Sequence, residues 1–159
     1  MQQAFRMILL PILAGITLTP LARAADPING TWKLDLRSSK FVQPPPKEQI
    51  EKYTELASGE IEMILTRTQA NGASTNTRLT WPAQGGVVLD PAGALPKSET
   101  ITEVLLGPGD WLAIFLSDGK QLTAMHKVIS RDGKTMTQTI KTVDSQGRPV
   151  EQIQVLHRQ

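Results

Sequence analysis

Ser117-Asp118-Gly119-Lys120, Arg131-Asp132-Gly133-Lys134 and Ser145-Gln146-Gly147-Arg148 place three glycines fourteen residues apart in the last third of the chain. Between them run Gln121–Ser130 and Thr135–Val143, rich in Thr, Val, Ile and Met. Asp-Gly between such runs is a hairpin signal, because a tight turn needs positive φ and glycine adopts it without a Cβ clash. A turn every fourteen residues leaves roughly ten per strand, long by globular standards. Consecutive long antiparallel strands of even length predict an up-and-down barrel or meander.

The same spacing extends upstream. Gly59, Gly72 and Gly86 follow one another at thirteen and fourteen residues. Thr31–Arg37 alternates Trp32, Leu34 and Leu36 with polar residues, a period-two strand pattern. Glu60–Thr68 puts Ile61, Met63 and Leu65 on one face, and Thr75–Trp81 and Val87–Leu89 follow. Ser98–Leu106, Trp111–Leu116 and Pro149–Arg158 complete an antiparallel set of about ten strands. Gln49–Leu56 reads as a strand, although Ile50, Tyr53 and Leu56 also fit a helical spacing. Pro44-Pro45-Pro46 cannot donate to a ladder and reads as a surface crossing.

The N-terminal region has the form of a secretory signal. Arg6 precedes a short apolar core, Met7–Leu18, and Ala22-Arg23-Ala24 supplies an A-x-A cleavage site. Residues 1–24 are therefore expected to be removed before Ala25. Twelve apolar residues broken by Pro11 are too short to span a bilayer. Residues 25–159 suffice for one domain with its own core. The whole chain carries seventeen Lys/Arg against fifteen Asp/Glu. Loss of Arg6 and Arg23 makes the remainder formally neutral, which argues against binding nucleic acid or an anionic membrane. The chain has no cysteine. Export without disulfides fits a bacterial periplasmic or secreted protein, since small secreted eukaryotic domains usually carry them. Asn29-Gly30-Thr31 matches a glycosylation sequon but is better read as a turn entering the first strand.

Gly30-Thr31-Trp32-Lys33-Leu34, on the first strand after a presequence, resembles the opening of the calycins, the superfamily of lipocalins and fatty-acid-binding proteins. The resemblance implies a lipocalin-like barrel in which Gly30 and Trp32 are structural and Trp32 sits at the closed end. It also implies a basic residue of the last strand over that ring, here Arg158, with His157 behind it. The stretch from Val128 through Gly133-Lys134-Thr135-Met136-Thr137, followed by Gly147 and a Val-rich final strand, is similar to secreted bacterial lipocalin-like proteins. Two departures limit what the resemblance implies. Pro44-Pro45-Pro46 stands where fatty-acid-binding proteins have a helical lid. Their Arg-x-Tyr carboxylate clamp would fall near Gln154-Val155-Leu156, where neither residue occurs.

No catalytic constellation is visible. A triad needs a nucleophile, a base and an orienting group in contact, and no serine sits in a nucleophile elbow. No metal site is expected either. The two histidines, His126 and His157, fall on strands separated by one intervening strand, and a site needs three or four convergent ligands. Glu60 and Glu62 share a face that reads as solvated. The informative residues are polar ones on faces that look interior. Arg67 continues the Ile61-Met63-Leu65 face, His126 lies between Ala124 and Val128 on the Leu122 face, and Gln138 lies between Met136 and Ile140. Burying them demands partners, which a wet cavity or a ligand would supply. Trp81 joins Arg67 and His126 as a candidate ligand contact, with core packing the commoner use of such a ring.

The expectation is an exported, non-enzymatic binder of a small, largely apolar or amphipathic ligand, without a cofactor. The alternative is a structural or interaction module with a filled barrel and a cell-envelope protein partner.

Overall fold

A computed structural model describes residues 25–144 and 146–159. The expected signal peptide lies outside the described residues. Ten antiparallel strands follow in chain order: β1 (Gly30–Lys40), β2 (Glu48–Glu55), β3 (Glu60–Thr68), β4 (Ser74–Pro82), β5 (Gly85–Val87), β6 (Glu99–Gly107), β7 (Asp110–Ser117), β8 (Lys120–Ile129), β9 (Thr135–Val143) and β10 (Pro149–Arg158). They form one sheet in the order β4-β3-β2-β1-β10-β9-β8-β7-β6-β5. The first and last strands pair, so the meander curls back on itself as a nearly closed barrel. Glu48–Glu55 is a strand, not a helix. Among the described residues no helix is long and apolar enough to cross a membrane.

The hairpin chemistry is visible at the β7–β8 turn. Asp118 and Gly119 have φ of 48° and 74°, the pair of positive values that a two-residue turn matched to strand twist requires. Asp118 is the one non-glycine residue with positive φ among the described residues.

At one end the barrel is packed solid. Trp32, Trp81, Trp111, Ile28, Ile61, Met136 and Leu156 are fully buried there. Tyr53, Trp81 and Trp111 stack edge to face, with centroids 6.2 and 6.3 Å apart, a geometry favoured by the ring quadrupoles. The segment before β1 seals this floor. Trp32 Nε1 donates to Ile28 O at 2.7 Å, and Trp111 Nε1 donates to the Asp26 carboxylate at 3.2 Å. Arg158 lies over Trp32, its guanidinium carbon 4.2 Å from the ring centroid. Its nitrogens donate to Asn29 O, Pro27 O and Gly133 O, each at 2.6 Å.

Two places depart from regular closure. Asp35 pairs with Val155 and Lys40 with Ile153, so five steps along β1 span two along β10. The extra residues bulge outward, held by Ser38 and Ser39 hydroxyls donating to Asp35 at 2.6 Å. Leu36, expected on the inner face, is thereby exposed. Pairing of β1 with β2 is confined to Gly30–Lys33. The second departure is the seam between β4 and β5, closed by one bridge in which Thr80 and Leu89 exchange hydrogen bonds of 3.0 and 2.7 Å.

The inward face of β8 is the reverse of the sequence expectation. Leu122 and Val128 are exposed, whereas Lys127 is buried, and Met125 and Ile129 pack against the core. Side chains alternate along a strand, so one inward residue fixes all the others. Apolar residues occupy both faces of β8. Lys127 decides between them because it finds a buried counter-charge in Glu103.

Candidate functional site

Beyond the aromatic floor the barrel encloses a cavity of about 470 Å³, within the usual size of small-molecule sites. Its mouth is rimmed by Phe41, Pro44 and Pro46 from the β1–β2 connection and by Leu95 from the loop before β6. The proline segment thus borders the opening of the barrel. Loop residue Leu95 is fixed by its amide, which donates to Asp90 Oδ2 at 2.6 Å.

The walls differ in character. Met63 and Leu65 of β3, Leu79 of β4, Ile101 of β6, Phe115 of β7 and Met125 of β8 make an apolar side. Gln49 and Glu51 of β2, Gln138 of β9, and Gln152 and Gln154 of β10 make a polar side. Gln49, Glu51, Gln138 and Gln154 are buried, which requires hydrogen-bond partners, and these side chains supply them to one another. Glu51 accepts from Gln49 Nε2 at 2.7 Å, from the Tyr53 hydroxyl at 2.6 Å and from Gln138 Nε2 at 2.7 Å. Gln49 Nε2 also reaches Gln154 Oε1 at 3.1 Å. Burial, reinforced by the neighbouring Glu51 charge, pushes the Tyr53 phenol well above its usual pKa. It therefore stays a neutral donor.

Arg67 lines the cavity near the outer end of β3. It donates through Nε to Gln49 Oε1 at 2.9 Å, and that bond ties its stem to the polar wall. Its two terminal nitrogens make no further hydrogen bond within the described protein. Deeper in, Lys127 Nζ donates to Glu103 Oε1 at 2.6 Å, with both side chains almost fully buried. The ammonium also stands 5.3 Å from the Trp81 centroid and 5.8 Å from that of Tyr53, within cation–π range. Glu103 Oε2 is buried and accepts no hydrogen bond from the described protein.

The three residues singled out as ligand contacts are thus not brought together. Arg67 faces the cavity. His126 lies on the outside of the barrel, because β8 turns Lys127 inward. There it bonds Asp110 Oδ1 at 2.7 Å with both side chains substantially exposed, and it sits in a shallow outer depression with Leu106 and Ala124. Trp81 is fully buried between Tyr53 and Trp111, beneath the cavity, and does not line it. His157 is likewise external, 3.4 Å from Asp35. Among the described residues no group of three or more His, Cys, Asp or Glu could hold a metal ion.

The residues missed were Glu51, Glu103 and Lys127. The two acids carried a detectable signal; Lys127 did not, because its charge counts against the face it shares. Glu51 alternates with Gln49 and Tyr53, and Glu103 alternates with Ile101 and Leu105, so each shares a face with residues that belong inside.

No family model matches the chain, and no curated protein matches it by sequence. Its structure is similar to that of the fluorescent protein UnaG. The wild-type protein aligns over 83% of this chain and 97% of its own, at 14% identity and a TM-score of 0.58. Two single-substitution variants of UnaG align over 84% and 82% of this chain and 96% and 95% of their own. Their identities are 14% and 13%, with TM-scores of 0.59 and 0.56. At such identity the likeness is one of fold alone, a nearly closed antiparallel β-barrel.

Proposed function

We propose that the protein is an exported, non-enzymatic carrier or scavenger of a small amphipathic molecule, related to the secreted bacterial lipocalin-like proteins. The observation that carries this reading is the cavity itself. A barrel serving only as a rigid module would fill its interior with side chains, whereas this one keeps space for a ligand between an apolar and a hydrogen-bonding wall. The apolar side offers Met63, Leu65 and Phe115 to a hydrocarbon or aromatic body. Arg67 offers a permanent charge with free planar donors, suited to a carboxylate or another oxyanion. Glu51 is occupied by three neutral donors and serves as a fixed part of the wall.

Native mass spectrometry tests the reading. The exported protein is weighed before and after extraction with organic solvent. An adduct that disappears on extraction, or reloading of the stripped protein by a fluorescent fatty acid, supports a binder. A protein that carries no adduct and takes up no probe is instead a filled or closed module, and a cell-envelope protein partner becomes the object of search.

A further inference from the structure

Glu103 offers a second recognition element at the opposite end of the cavity from Arg67. Its Oε1 is taken by Lys127 at 2.6 Å. Its Oε2 is closed off and without a partner from the described protein, on a residue that lines the cavity and whose terminal torsion is soft, so a small turn of the carboxylate brings it to a donor in the cavity. A carboxylate has about four acceptor sites, and buried acceptors are nearly always filled. We propose that Glu103 Oε2 receives a hydrogen bond from a neutral N–H or O–H group carried on the buried end of the ligand. This rests on the cavity being a binding site, and it deepens that reading.

The geometry restricts the donor. Lys127 Nζ already neutralises Glu103 and stands over the Trp81 and Tyr53 rings. A cationic donor would meet like charge there at short range, which is unfavourable in a poorly solvated site. The acceptor therefore selects a neutral donor. The neighbouring wall, Ile101 of β6 and Met125 of β8, is apolar, so the group is one polar point on an otherwise hydrophobic body. Together with Arg67 near the outer end of β3, this defines a ligand with an acid at its outer end and a neutral donor at its inner one. A plain fatty acid lacks the second feature.

The test uses an anilinonaphthalene sulfonate, which carries an anion and one aromatic N–H, and its N-methyl derivative, which lacks only that N–H. Both are titrated fluorimetrically into the exported protein after extraction. The N–H probe is expected to bind about tenfold or more tighter, the usual value of a hydrogen bond to a charged group. In the double variant Glu103→Met/Lys127→Met, which replaces a buried ion pair by apolar chains of similar volume and commonly keeps the fold, the preference should fall to near unity. Glu103→Gln, which keeps shape and a neutral acceptor, should show an intermediate preference. Equal binding of the two probes to the wild type overturns the inference and leaves the binding reading intact. A preference that persists in the double variant also overturns it, because the methyl group is then excluded by shape. Failure of both probes to bind overturns this inference, and in a protein with no extractable adduct and no fatty-acid uptake it removes the binding reading as well.

Discussion

Arg158 lies flat over Trp32, and its three nitrogen types are spent on backbone carbonyls of two different segments. The arrangement joins the last strand, the first strand and the β8–β9 turn at a single guanidinium. Gly30 makes the approach possible: a Cβ there would collide with Arg158 Nη1, and its φ of 135° is one that side chains rarely adopt. Trp32→Ala should therefore destabilise the protein by ~3–5 kcal/mol, a large share of a typical stability of ~5–15 kcal/mol. Gly30→Ala should also lower the melting temperature. An unchanged melting curve for either variant would show that the closed end is not held in this way.

Tyr53 is the only tyrosine of the chain, so phenolate absorbance reports on it alone. Its pKa is raised in the folded state above the ordinary value of 10.0. The neutral phenol is favoured by folding, so this contribution is complete below about pH 10 and is lost as pH rises toward the folded value. The tyrosine should not titrate at its usual pH in the native protein and should ionise together with alkaline unfolding. Tyr53→Phe should lose ~1.5–3 kcal/mol through the missing bond to Glu51 and should show a weaker dependence of stability on alkaline pH. A normal titration curve in folded protein would contradict the buried Tyr53–Glu51 pair.

Arg67→Met should reduce the affinity for a fluorescent fatty acid by roughly ten- to a hundredfold. The affinity for the corresponding methyl ester should change little. If acid and ester bind the wild type equally, or if the variant leaves the acid unaffected, the anionic end of the ligand is held elsewhere.

If the proposed signal is cleaved, N-terminal sequencing of the mature protein should read Ala25-Asp26-Pro27-Ile28. This start preserves Asp26, whose carboxylate receives the Ile28 amide at 2.9 Å and the Trp111 indole at 3.2 Å. Cleavage after Asp26 would remove that acceptor and is expected to loosen the floor. Recovery of Met1 in a membrane fraction would show that the presequence is retained.

The barrel was legible because its information is local. Glycines recur at fixed intervals, alternation is regular within each strand, and Gly30 and Trp32 mark the start. The cavity was legible only in part. Arg67 could be placed because the Ile61-Met63-Leu65 face has polar or charged residues opposite it at Glu60 and Glu62. On β8 the choice between Leu122-Ala124-His126-Val128 and Thr123-Met125-Lys127-Ile129 depended on a partner 24 residues away, Glu103. Period-two reasoning ranks faces by apolarity and penalises the lysine, so it selected the wrong set. The Leu36 position failed for another reason: an irregular bulge changes which way a side chain points without changing composition.

The Thr80–Leu89 bridge sets a kinetic property of the molecule. Strands β2 to β4 and β6 to β10 are zipped by long ladders, and opening one of them means losing much of the fold. At this seam two backbone bonds must break. Local openings need only a fraction of the global free energy, so the amides of Thr80 and Leu89 should exchange with solvent deuterium well before those of β9 and β10. The weakest point of the barrel wall is thus set by two backbone bonds, and not by the strength of the core.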